Sequence, residues 1–178
     1  MAIILIIGIV FVFFIAYISI SNGLNRAIVK IDEASSDIDV SLTKRYDVLT
    51  KMIDVVKGYA KYEQETIFKT VELRKNMTMK EKNEANKVME ENMEKINILA
   101  ENYPDLKASE NYKTLQKAIA DVEEHLQASR RLYNANVSIY NQKIVTFPSS
   151  AIASSKGLTK RDFFVTEEKK RDDVKIDL

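Results

Sequence analysis

The chain opens on an unbroken apolar run, AIILIIGIVFVFFIAYISI from Ala2 to Ile20, and only after it do apolar and polar positions alternate. Without one charged side chain, and at about 1.5 Å per residue, the run reaches roughly the thickness of a hydrocarbon core as a helix. In lipid a helix satisfies every backbone group within the segment, which overrides the modest helix propensity of Ile, Val and Phe in water. Tyr17 falls near the end of the run, where an amphipathic ring suits the headgroup level. Ser19-Ile20-Ser21 has the small-x-small spacing of a signal-peptidase site. Against cleavage, no basic residue precedes the run, and it is longer than the apolar region of an ordinary signal. The pattern therefore predicts an uncleaved, single-pass transmembrane anchor over residues 1–22, with residues 2–20 in the bilayer.

Beyond the anchor, apolar residues recur at helical intervals. Leu24, Ile28, Ile31, Ile38, Leu42, Leu49, Met52 and Val56 are three, four or seven apart, which predicts one long amphipathic helix. The stripe drifts on to Ile53, Ala60, Ile67 and Val71, so Gly58 either lies inside that helix or ends it. A polar stretch, residues 75–80, interrupts the pattern, and Thr78 with Glu81 three residues later predicts a capping box opening a second helix. Its buried side is expected at Ala85, Val88, Met89, Met93, Ile96 and Leu99. Pro104 predicts a corner around Asn102–Asp105, because the residue before a proline is steered out of helical geometry. Tyr112, Ile119, Leu126, Tyr133, Tyr140 and Phe147 then follow at successive seven-residue steps, predicting one further rod that Phe147-Pro148-Ser149-Ser150 ends. Short connections make an antiparallel up-down (four-)helix bundle the economical packing. The expected fold is all-α: a transmembrane helix, a bundle over residues 23–150 and a C-terminal extension over 151–178, in which Leu158, Phe163 and Phe164 dock while a mixed-charge end stays solvated.

Composition supports helices and narrows the chemistry. Four Gly and two Pro punctuate 178 residues, and 27 basic against 26 acidic side chains are interleaved to a net charge of +1. No single-sign field exists to attract nucleic acid, so nucleic acid is not expected as a partner. Cysteine is absent, which removes disulfides, thiolate nucleophiles and Cys-type zinc sites. The sole histidine, His125, lacks a second ligand at metal-binding spacing, and no EF-hand loop occurs, so no metal is expected. The scattered glycines offer no phosphate cradle, and no Gly-x-Ser-x-Gly elbow is present, so neither a cofactor nor a catalytic residue is assigned. Basic residues near the span, Arg26 and Lys30 and then Lys44 and Arg45, all follow it, which places the bundle in the cytoplasm by the positive-inside rule.

Several blocks, namely KRYDVLTKMIDVVKGYAKYE (44–63), AENYPDLKAS (100–109), RRLYNANVSIYNQKI (130–144) and FPSS (147–150), with the late Phe163-Phe164, resemble the LemA family of bacterial membrane proteins in order and spacing. The likeness spans nearly the whole chain. It implies a cell-membrane protein with one N-terminal span and a four-helix up-down bundle, in a family without an established biochemical activity. Thr50-Lys51 stands where the family commonly has Pro-Asn, and Ser35 where it often has Trp. The positions that carry the motifs are Arg45, Asp47, Gly58, Tyr59 and Glu63; Glu101, Asn102, Tyr103, Pro104 and Leu106; and Arg130, Tyr133, Asn134, Tyr140, Asn141, Phe147 and Pro148.

Two readings of the polar members stay open. Asn134 and Asn141, one heptad apart beside stripe tyrosines, either fix helix register through buried hydrogen bonds or line a polar pocket for a peptide or small ligand. The leading functional expectation is an interaction or scaffolding module tethered to the membrane, with other membrane proteins or a second copy of the chain as partners. The alternatives are an enzyme subunit using Arg45, Glu101 and Arg130 in a polar cleft, and a lipid- or peptide-sensing bundle.

Overall fold

A computed structural model describes residues 1–59 and 68–165. Among these residues the protein is all-α: α1 (Ala2–Tyr59), α2 (Met79–Asn102), α3 (Pro104–Ala108), α4 (Glu110–Val145) and α5 (Ser149–Ser155). Helix α1 continues without a break from the apolar run into the amphipathic stripe. Gly58 is helical within it, and a methyl group there would meet nothing. Glu63, Ala60, Ile67 and the charged C-terminal end lie outside the described residues.

Two compact units divide the chain, one made of Met1–Asp37 with Ser129–Phe163 and the other of Ile38–Ala128 with the residues from Phe164 onward. In the first unit, Leu24, Ala27, Ile31 and Ala34 of α1 are buried, as are Tyr133, Val137 and Tyr140 of α4 and Ala153 of α5. The Asn136 amide donates to the Lys30 carbonyl at 3.1 Å. Helix α5 closes with Gly157 at φ +65°, its N–H donating to the Ser154 carbonyl at 3.1 Å and that of Leu158 to Ala153 at 3.0 Å. This is a Schellman ending, which requires a left-handed residue and so favours glycine. The expected end of the preceding rod is corrected here: α4 stops at Val145, so Phe147 leaves the heptad stripe and stands exposed before the new short helix.

In the second unit, Ile38, Leu42, Leu49, Met52 and Val56 of α1 are buried, as are Ala85, Met89, Ile96 and Ala100 of α2, Leu106 of α3, and Tyr112, Ile119, Val122 and Leu126 of α4. Each large apolar side chain removed from water contributes about 1.5–3 kcal/mol, and the continuity of the three stripes lets them share one core. The α2 face differs from the expected one: Val88, Met93 and Leu99 are half-buried, while Lys82, Asn86 and Asn92 are buried. The cross-helix pairs Asp39–Lys82 and Arg45–Asn86 ascend together, so α1 and α2 run parallel. Their link is correspondingly long rather than the expected short connection. It returns as a non-helical leg in which Lys69 meets Asn92 and Arg74 meets Glu81, running against α2. Val71 belongs to this leg and not to a prolonged α1.

Candidate functional site

The α2 N-terminus is built locally. Thr78 caps it by accepting the Glu81 N–H at 3.3 Å, while the Glu81 carboxylate accepts the Thr78 N–H at 2.7 Å. Donation from the Thr78 backbone N–H, and next from its hydroxyl, holds the Glu81 carboxyl below its ordinary range. At the opposite end, Tyr103 donates its N–H to Leu99 and Pro104 starts α3. Leu106 is buried beneath the turn, and the Ser109 hydroxyl accepts the Tyr112 N–H at 3.3 Å to open α4. The motif at 100–109 thus ends and starts helices within a few residues. Glu101 and Asn102 are exposed there.

Arg45 forms the centre of the second unit's polar seam. Only 4 % exposed, its guanidinium pairs with Glu123 at 2.5 Å, approaches Glu90 at 3.9 Å and donates to the Asn86 carbonyl oxygen. Burial pulls its pKa below the ordinary arginine value, and the carboxylates of Glu123 and Glu90 push it back up. Lys82 reaches Asp39 at 2.6 Å on the same side of α2. Further along, the buried Asn92 carboxamide accepts the Lys69 N–H at 2.9 Å and donates to the Lys69 carbonyl at 2.8 Å, pinning the return leg. Between that leg and α2 lies an open cleft of about 300 Å³, lined by Val71, Arg74, Met77, Glu84, Ala85 and Val88 among others. Asp47, Gly58 and Tyr59 are exposed along α1.

In the first unit, the tyrosine motif of α4 holds an extended stretch of chain. The Tyr133 hydroxyl donates to the Asp162 carbonyl at 2.9 Å and that of Tyr140 to the Thr159 carbonyl at 3.0 Å. Asn141 binds Arg161 through both backbone groups, donating to its carbonyl at 3.0 Å and accepting its N–H at 2.9 Å. Desolvation raises the Tyr133 pKa, and burial does the same for Tyr112 in the other unit. Arg130 and Asn134 are half-buried on α4, and the Phe147–Pro148 peptide is cis.

The partners of Arg45 are Glu123, Glu90 and Asn86; Glu101 is exposed at the end of α2, and Arg130 is a half-buried residue of the first unit. His125 is exposed. Sequence reasoning passed over Lys82, Asn86, Asn92 and Glu123. A signal was present for Asn92, which falls three residues after Met89 and four before Ile96, a core slot occupied by an amide.

These features define an all-helical protein whose long first helix begins in an exposed apolar segment, and whose motif residues Tyr133, Tyr140 and Asn141 hold its own backbone at residues 159–162. A profile of the LemA family matches residues 34–178, and the chain belongs to the LemA family. It is 32 % identical over 168 residues to Protein LemA of Metamycoplasma hominis, covering 92 % of this chain and 77 % of that protein. Part of it is similar to magnetosome proteins. MamQ of Magnetospirillum gryphiswaldense is 26 % identical over 70 residues, 39 % of this chain and 26 % of that protein. MamQ 2 of Paramagnetospirillum magneticum is 27 % identical over 82 residues, 46 % of this chain and 29 % of that protein. The exposed N-terminal helix is long and apolar enough to cross a bilayer, which is compatible with a membrane-associated family.

Proposed function

We propose that this protein is a single-pass, membrane-tethered interaction module of the bacterial cell membrane, with its bundle on the cytoplasmic side and no enzymatic activity of its own. One observation carries the reading. The apolar window of α1 is wholly unburied, yet the same helix continues into buried stripe residues, so a span at residues 2–20 would pass into the bundle without an intervening loop. Leu132 and Ile139, one heptad apart on α4 and each about half exposed, offer an apolar stripe for a partner protein or a second copy of the chain. Photo-crosslinkers placed at those two positions in intact membranes should capture the same protein reproducibly. Recovery of uncrosslinked monomer alone would defeat the proposal.

A second reading draws on the cleft between the return leg and α2, whose apolar floor and Arg74–Glu81 rim suit a small ligand or peptide. A ligand bound there would raise the melting temperature by mass action, and Val88→Arg would abolish the rise.

A further inference from the structure

The turn between α4 and α5 carries an unpacked apolar pair. Phe147 is 82 % exposed, more than any other large apolar side chain described beyond the N-terminal run, and Val145 is 59 % exposed. Their level along α1 follows from the first unit alone. Asn136 meets Lys30 and Lys156 meets Ser21, so in this unit the chain after Asn136 runs back along α1 toward its apolar end. Nine residues onward on α4 lead to Val145, and nine back on α1 lead to Ser21, each step about 13 Å. The Lys156 ammonium just past α5 donates to the Ser21 hydroxyl itself. Both observations set the turn beside the end of the apolar run, which closes at Ile20. Charge agrees with that placement. No Asp or Glu occurs on α1 before Asp32 or from His125 to Arg161, whereas Arg26, Lys143 and Lys156 lie near this end.

We infer that the α4–α5 turn is a second membrane contact, in which Phe147 and Val145 enter the boundary between headgroups and acyl chains while Arg26, Lys143 and Lys156 face anionic headgroups. An exposed aromatic ring gains by entering that layer, and basic side chains add attraction to an acidic leaflet. The inference rests on reading residues 2–20 as a span, and its test separates the two claims.

The chain has no tryptophan, so a single Trp reports without background. Full-length Phe147→Trp and Phe11→Trp proteins, each checked for unchanged helicity, are reconstituted into phosphatidylcholine vesicles with and without phosphatidylglycerol. Phe11→Trp should lose intensity to lipids brominated deep in the acyl chain. Phe147→Trp should emit to the blue of water-exposed Trp and lose intensity to lipids brominated near the headgroup, more so with phosphatidylglycerol. Quenching of Phe11→Trp with no quenching of Phe147→Trp overturns the second contact and leaves the span standing, and a blue shift without bromine quenching, meaning contact with protein, overturns it equally. If neither is quenched, the span reading fails and the inference with it.

Discussion

Asn92 and Asn141 meet the same need in different places. A carboxamide carries a donor and an acceptor side by side, so it can satisfy both backbone groups of a non-helical residue as a neighbouring strand would. Asn141→Asp keeps the shape but removes the donor and turns a carboxylate toward the Arg161 carbonyl. We expect a loss of about 1–3 kcal/mol by denaturant titration, with faster exchange of the Arg161 amide as its signature. Arg45 works differently, because three groups depend on it. Arg45→Ala strands Glu123, Glu90 and Asn86, and since both carboxylates are partly exposed the cost falls below that of a fully buried pair, at about 2–3 kcal/mol. Arg45→Met combined with Glu123→Leu should recover much of it. Gly157→Ala isolates backbone strain: φ is +65° and a methyl group would touch nothing, so the expected loss is about 1 kcal/mol with no repacking.

Each helix end has its own chemistry. At the start of α2, Thr78→Ala removes the cap and should cost about 1 kcal/mol. The Glu81 half of the box gives a pH dependence whose sign follows from its lowered folded pKa. That contribution is complete above the ordinary carboxylate range and is lost as pH falls through the folded value. Carboxyl NMR titration should find Glu81 titrating below an exposed reference glutamate, and the difference should shrink in Thr78→Ala, which keeps the backbone N–H but loses the hydroxyl donor. Tyr133 works at the alkaline side. Its raised pKa means the contribution is present below the ordinary tyrosine value and is lost as pH climbs through the folded value. Ionisation also removes the donor to Asp162, so residues 159–162 should become protease-sensitive on alkaline titration before α4 melts. Tyr133→Phe should show that sensitivity at neutral pH.

For the whole chain, the N-terminal run and the folded body separate energetically. None of the apolar window is buried, so a protein lacking residues 2–20 should keep its melting temperature while leaving the membrane pellet under carbonate wash, and the full chain should stay in it. Orientation has an equally direct check, since the chain has no cysteine. A membrane-impermeant maleimide should label Lys113→Cys only after the cells are opened if the bundle is cytoplasmic.

Local periodicity and local chemistry were enough to read the helical class, the apolar run, the capping box at Thr78 and the corner at Pro104, because those signals lie within a turn or two of chain. On the α1 and α4 stripes, Leu24, Ile38, Met52, Tyr112, Leu126 and Tyr140 are all buried as the spacing implied. The parallel course of α1 and α2, the return leg beside α2, the partners of Arg45 and the hold of Tyr133, Tyr140 and Asn141 on residues 159–162 came only from the tertiary structure. Arg45 meets Asn86 across 41 positions and Asn141 meets Arg161 across 20. Such pairings depend on which faces meet and at what register, and spacing along one helix states only that a face exists.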